Sequence, residues 1–296
     1  MIPTWLKSNA VYPRLRAGTL SFRGSPRFYN PFSAIRASPS ATEEHRARLL
    51  AESIHALGQE NGLMLWDTPM GHISTMETES VDHITFLLAE YERDVYLRGD
   101  VQVTAGSTVL DAGANIGLFT RRALQAGAGR VIAIEPAAGN LLAIHTNLKE
   151  EIRAGTVVVV PKGAWNARAT LSFVLDSTHP ARSSFVVPPP EESATKLSID
   201  VVTIDSIVQE LGLTRVVFIK MDIEGAELKA LEGAAKLLRE NKPQLAIAVE
   251  HTDDWLKNAK MVRELVLTIN PSYSCSPGPW VVTRQRRLAP EVLYFR

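Results

Sequence analysis

The stretch Val109-Leu110-Asp111-Ala112-Gly113-Ala114-Asn115-Ile116-Gly117 places an acid ahead of two glycines four residues apart, between a short apolar run and a helical pattern. Glycines at such a strand-to-helix turn let the backbone approach a ligand at the helix N-terminus. The spacing is not G-x-G-x-x-G, because position 115 is Asn. A dinucleotide pyrophosphate calls for the glycine triplet, and a carboxylate at Asp111 repels that anion. An acid there suits a ligand with a cationic end, and S-adenosylmethionine carries an ammonium and a sulfonium. Glu135 closes the next apolar run, 22 residues after Gly113. An acid in that place accepts hydrogen bonds from ribose hydroxyls, which supports an adenosine-bearing ligand of either kind.

Two further groups suit proton transfer. In Phe218-Ile219-Lys220-Met221-Asp222-Ile223-Glu224-Gly225-Ala226-Glu227 a buried run meets three carboxylates and a glycine at a helix start. Asp222 and Glu224 are expected in the ligand crevice at the strand's carboxyl end, whereas Glu227 fits a helix N-terminus or solvent. Glu250-His251 follows the next strand pattern, and a histidine at a strand mouth can act as a general base near neutral pH. His251 is therefore the first candidate base and Asp222 the second. Asp222, Glu224 and Glu250 could instead gather a divalent ion, but no spacing fixes an octahedral set, so no metal is expected. The chain has no G-x-x-x-x-G-K-[ST] loop, G-x-S-x-G elbow or H-E-x-x-H pair, which removes the kinase and common hydrolase readings.

The elements that must position these residues follow from periodicity. Short apolar runs at 108–112, 130–135, 156–160, 215–222 and 243–250 alternate with helical stretches, the pattern of a doubly wound α/β domain with a mainly parallel sheet and helices on both faces. Trp280 to Arg284 and Val292 to Phe295 are expected as two last strands, antiparallel. An insertion spans about 166–196, with strand patterns at Thr170 to Leu175 and Ser183 to Val187. Ahead of the domain, residues 1–97 read as a basic arm and an α+β cap, with 98–296 as the ligand-binding domain. The cap is expected to hold a helix from Thr42 carrying Leu49, Leu50, Ile54 and Leu57, a hairpin from Leu63 to Met76 turning at Pro69 to Gly71, and a helix from Val81.

Composition bounds the rest. The 296 residues hold 32 Lys+Arg and 32 Asp+Glu, so the surface as a whole is no basic field for nucleic acid. The longest apolar runs are far too short to span a bilayer. One cysteine, Cys275, rules out an internal disulfide and a thiolate zinc cluster and makes a cytoplasmic setting the expectation. Residues 1–42 hold basic but no acidic side chains, with prolines and aromatics between them. They are expected to cover the site or to form a homodimer contact. The prolines speak against the amphipathic helix of a transit segment.

Taken together, Leu110 to Gly117 with Thr120, Ile134-Glu135-Pro136 with Asn140 and Asn147, Thr203-Ile204-Asp205, and Ile219 to Glu227 resemble the FkbM family of S-adenosylmethionine-dependent methyltransferases. Gly233 and Pro243 ahead of Glu250-His251 fit the same pattern, and the likeness covers about residues 90 to 255. Ala112 departs mildly from the β-branched residue usual there, and the first 80 residues offer nothing to match. The resemblance implies a class I, Rossmann-like methyltransferase fold with a seven-stranded sheet whose last strand is antiparallel. It implies O-methylation of a hydroxyl on a sugar or secondary metabolite, and so a small-molecule or glycan acceptor. By this likeness Asp111, Gly113 and Asn115 line the cofactor's amino-acid end, Glu135 takes its ribose, Gly163-Ala164-Trp165 border the adenine, and Gly117 and Pro136 are further cofactor-binding positions. Carboxylate methylation, which needs no base, is the second expectation, and a nicotinamide-dependent oxidoreductase the third.

Overall fold

The short Val/Ile/Leu-rich runs of the second half of the chain form one sheet, buried on both faces, as continuous apolar strands require. In the computed structural model, which describes residues 49–176, 194–252, 254–282 and 288–296, this sheet has seven strands. They are β4 (Thr108–Ala112), β5 (Arg130–Ile134), β6 (Val157–Val160), β10 (Phe218–Met221), β11 (Gln244–Ala248), β12 (Cys275–Val282) and β13 (Leu288–Phe295). Their order is β12-β13-β11-β10-β4-β5-β6. β10, β11, β4, β5 and β6 pair in parallel, while β13 lies antiparallel to both its neighbours. The expected fold is therefore present, down to the reversed last strand.

Strand alternation divides the core between the two faces. Leu110, Ile132, Ile219 and Ile247 join one cluster with Leu231, Leu237, Val262 and Val266. Val109, Val131, Phe218 and Ala246 join the other, with Ala123 and Leu148. Helices α2 (Leu118–Gln125) and α3 (Ala138–Asn147) follow β4 and β5, and α6 (Glu227–Glu232), α7 (Ala235–Glu240) and α8 (Trp255–Ile269) follow β10 and β11. Short helices α4 (Lys149–Arg153) and α5 (Ile204–Glu210) complete the set. Polar side chains start them where the sequence allows: Asp254 accepts the amide of Lys257 at α8, and Asp205 accepts those of Lys236 and Leu237 at α7. The chain leaves β4 toward β5 on one side and returns through β10 on the other. The carboxyl ends of β4 and β10 thus frame the topological switch point, where open α/β sheets hold ligands.

Within the expected insertion, β8 (Ala169–Asp176) and β9 (Ala194–Val202) pair antiparallel, and β7 (Gly163–Ala164) adds to β9 in parallel. The strand expected at 183–187 lies outside the described residues, as do residues 1–42 and the dimer contact expected of them.

The N-terminal unit corrects one expectation. The helix read from Thr42 to Leu57 is described only from Leu49 and ends at Ala51. Residues 55–60 instead form β1 (His55–Glu60), which pairs antiparallel with β2 (Leu63–Thr68). The cause is Asn61-Gly62, both left-handed at φ 54° and 78°, a two-residue hairpin turn that Asn-Gly favours. β2 then pairs with β3 (Gly71–Met76) through the expected turn, and α1 (Val81–Glu92) starts at its Ser80 cap. This unit is joined tightly to the sheet domain. Its Trp66, Ile73, Ile84 and Leu88 share a core with Ile116 and Ala143. Asn147 bonds both backbone groups of Ser74 as well as the Ile116 carbonyl.

Candidate functional site

A cleft of about 1120 Å3, counted to its open mouth, lies over the carboxyl ends of β4, β5 and β10. Gly113, Asn115, Glu135, Pro136, Gly163, Ala164, Asp222 and Glu224 all line it, so most of the candidate residues meet in one place. Gly113 is there because nothing larger fits. At φ 79°, a Cβ would stand 1.8 Å from the Asp222 carbonyl oxygen, so the two loops touch backbone to backbone at the switch point. Asn115 also takes a left-handed φ of 50°, which turns its amide toward Glu135.

Glu135 is 5% exposed and held from both sides. Its Oε2 accepts the Asn115 amide and its Oε1 the Ala137 amide, each at 2.9 Å. Burial dominates these hydrogen bonds and raises its pKa from 4.5 to about 7. The Asn140 side chain donates a third hydrogen bond, which leaves one of the about four acceptor positions of Glu135 for a donor entering the cleft.

Four candidates do not line the cleft. Asp111 was expected to face the ligand, but its side chain is 0% exposed. Its Oδ2 accepts the Thr120 hydroxyl at 2.6 Å, and its Oδ1 lies 3.4 Å from Lys220 Nζ. The reason is register. Lys220 sits beside Asp111 on β10, is 4% exposed, and needs a countercharge in the core. Gly117 was expected to border the ligand as well. It instead gives α2 a left-handed start at φ 90°, and a Cβ there would meet Leu148 Cδ1 at 2.7 Å.

The third is His251, the expected first base, which stands behind the two cleft-lining acids. Its Nε2 is 3.3 Å from Asp222 Oδ1 and 3.8 Å from Glu224 Oε1, and its Nδ1 is 3.4 Å from Glu227 Oε1. Burial works against its charge, but Glu224, Asp222 and Glu227 outweigh it and hold its pKa well above the ordinary value. At neutral pH it is an imidazolium, which has no lone pair with which to take a proton. Asp222 is the opposite case: burial would raise it, but Lys220 and His251 keep its pKa below the usual carboxylate range. The ionised, cleft-facing group is thus Asp222. Trp165, which also does not line the cleft, presents its carbonyl to Gly233.

Three residues that sequence spacing did not select belong to the same network. Lys220 donates to the Gly113 carbonyl at 2.7 Å and lies 3.7 Å from Asp222 Oδ2. Its signal was legible: a lysine inside an apolar strand must find an acid. Tyr96 and Glu90 come from the N-terminal unit and wall the cleft from the far side. Tyr96 Oη lies 2.7 Å from Asp222 Oδ2 and 2.9 Å from Glu90 Oε1. One phenolic proton cannot serve both acids. A proton on Glu90 completes the chain, in keeping with burial and then Asp222 raising its pKa to about 7. Carboxylates outnumber bases along the wall: Glu90, Asp94, Glu135, Asp222 and Glu224 face Arg122, Lys162 and Lys220, and Arg122 is already bound to Asp94 through two 2.6 Å hydrogen bonds. With the proton on Glu90 and Arg122 spent on Asp94, Asp222 and Glu224 are the carboxylates left to meet a cationic group.

The family model described as the methyltransferase FkbM domain matches residues 111–272. Among solved structures, the methyltransferase FkbM of Methylobacillus flagellatus superposes with a TM-score of 0.51 at 23% identity, over 86% of this chain and 59% of that one. Trm5b from Pyrococcus abyssi gives 0.44 at 14% identity, over 81% and 57% of the two chains. A Streptococcus mutans protein whose structure was solved in complex with SAH gives 0.39 at 12% identity, over 70% and 95%. The chain thus spans less than two thirds of the length of the first two. No curated protein matches it. Among the described residues, no helix is long and apolar enough to cross a membrane.

Proposed function

The chain belongs to the FkbM methyltransferase family, and from that premise we propose that it transfers the methyl group of S-adenosylmethionine to a hydroxyl oxygen of a small-molecule or glycan acceptor. The observation that carries this reading is Glu135, a buried carboxylate fixed by the amides of Asn115 and Ala137 beside the Gly113 turn. In that setting its remaining lone pair accepts a ribose hydroxyl of a nucleoside. Asp222 and Glu224 meet the donor's ammonium and sulfonium with an attractive field. That role, expected of Asp111, passes to Asp222 and Glu224, while Asp111 acts at one remove by anchoring Lys220.

The reaction asks little of the protein beyond position and one proton transfer. The acceptor oxygen attacks the methyl carbon in line with the C–S bond. As the new O–C bond forms, sulfur keeps the bonding pair and leaves as the neutral thioether of S-adenosylhomocysteine. The hydroxyl proton passes to Asp222 Oδ1, a general base at the cleft surface. Lys220 and Tyr96 hold the other Asp222 oxygen, and protonated His251 restrains the first. His251 is thus a positioning residue in the resting protein.

Incubating the protein with methyl-labelled donor and a metabolite extract, followed by mass spectrometry of the labelled products, tests the assignment. Alkali-stable methyl ethers are the expected product. Labelled esters that alkali cleaves would move the chemistry to carboxylate methylation, and no labelled product in a broad extract counts against transfer to small acceptors.

A further inference from the structure

We propose that Asp222, Glu224 and His251 form a binding site for one divalent cation of the Mg2+/Mn2+ class, placed to receive the acceptor hydroxyl. The inference rests on the methyl-transfer reading and adds a cofactor to it. One oxygen of each acid and one imidazole nitrogen lie within 4.8 Å of one another. His251 Nε2 is 3.3 Å from Asp222 Oδ1 and 3.8 Å from Glu224 Oε1. With metal–ligand bonds of about 2.1 Å, adjacent ligands of an octahedron stand about 3 Å apart and opposite ones about 4.2 Å. The two spacings from His251 fall within that span, so small side-chain rotations bring all three donors onto one ion.

The backbone delivers these donors from neighbouring parallel strands. Asp222 directly follows β10, and Glu224 at φ 54° with Gly225 at φ 94° reverses the loop, so that residues two apart address the same point. His251 comes off the end of β11, the next strand in the sheet. A separate arrangement orients the imidazole. Glu227, 1% exposed, accepts the amides of Ile223 and Gly225 with Oε1, and the same oxygen faces His251 Nδ1. A carboxylate behind the distal nitrogen of a histidine is the recurrent outer-shell support of metal-bound imidazole. It keeps an N–H on Nδ1, so the ion takes the place of the proton that His251 Nε2 carries in the resting protein, between the same two acids.

Two carboxylates with one imidazole suit a hard or borderline divalent ion. Three protein ligands leave open positions, and Asp222 and Glu224 line the cleft, so those positions face the space where an acceptor would enter. A hydroxyl bound there is held and acidified, which serves an alcohol acceptor and adds little for a carboxylate.

The full chain, stripped with EDTA, can be titrated with Mn2+ while electron paramagnetic resonance follows the free ion. Binding of one Mn2+ per chain is expected, weakened at least about tenfold in Glu224→Gln and His251→Gln and about 10- to 100-fold in Glu227→Gln, which supports the His251 ligand and the Ile223–Gly225 loop without being a ligand itself. Thermal melts of the variants confirm that they are folded. Co2+ in place of Mn2+ should give a visible band that His251→Gln shifts. No saturable Mn2+ binding to the stripped protein, or binding that all three folded variants leave unchanged, overturns the site. A parallel titration of the stripped protein with S-adenosylhomocysteine separates the two readings. Donor-product binding without an Mn2+ site removes the cation alone, while failure to bind S-adenosylhomocysteine removes the donor reading on which it rests.

Discussion

Affinity for S-adenosylhomocysteine should fall as pH drops through 7, because the carboxylate proposed to hold the ribose titrates there. Burial raises the Glu135 pKa to about 7, so its ionised share in the free protein falls from about nine tenths at pH 8 to about one tenth at pH 6. Ribose hydroxyls donate to the carboxylate. If they bind only the ionised form, Kd rises about tenfold over this interval, or about 1.4 kcal/mol, and binding at pH 6 releases a proton. Calorimetry in two buffers of different ionisation heat reads both quantities. The stability of the free protein runs the other way. A carboxyl raised from 4.5 to about 7 by folding contributes stability below pH 4.5 that is lost as pH rises through 7, up to about 3 kcal/mol. Glu135→Gln removes both dependences, and it turns an amide NH2 toward the backbone amide of Asn115 or Ala137, which weakens binding by about 1 to 3 kcal/mol. A wild-type affinity that is flat from pH 8 to 6, with no proton release, would refute this placement of the ribose.

Three substitutions probe the rest of the network. Asp222→Asn should lower kcat by about 10²- to 10⁴-fold for a hydroxyl acceptor; an unchanged kcat points to an acceptor that needs no base. Lys220→Met should destabilise the fold by about 3 to 5 kcal/mol, read by urea denaturation, because Asp111 at 0% and Asp222 at 23% side-chain exposure lose their shared cation. A loss below about 1 kcal/mol would mean that those acids have other partners. Gly113→Ala forces a Cβ to 1.8 Å from the Asp222 carbonyl oxygen at a φ of 79°, so S-adenosylhomocysteine binding should be lost. Full binding by this variant would show that the two loops can part without harm to the site.

The sheet was legible because its strands are apolar throughout, and burial on both faces leaves that mark in any order of strands. The Gly113 turn and the Asp222–Glu224 loop were legible because short spacing ties them to strand ends. The direction in which a side chain points was harder to read. Asp111 and Gly117 have the right spacing, yet one is claimed by Lys220 across the β4–β10 pair and the other by Leu148 on the adjoining helix turn. Neither partner is local in sequence. His251 was found, but its proton depends on Glu224, Asp222 and Glu227, which only the fold brings within 4 Å. Glu90 and Tyr96 are 126 or more residues from Asp222 and carry no motif, so the far wall of the cleft had no sequence mark. At β1, the Asn61-Gly62 turn was a readable hairpin signal. The apolar spacing of Leu50, Ile54 and Leu57 mimicked a helix and concealed it.

Calorimetric titration of the full chain at pH 8 with S-adenosylhomocysteine and, separately, with NADH bears most directly on whether this acid-lined cleft takes a cationic methyl donor. Saturable binding of S-adenosylhomocysteine that Glu135→Gln weakens, with no heat from NADH, is the expected result. Binding of NADH without S-adenosylhomocysteine would contradict it.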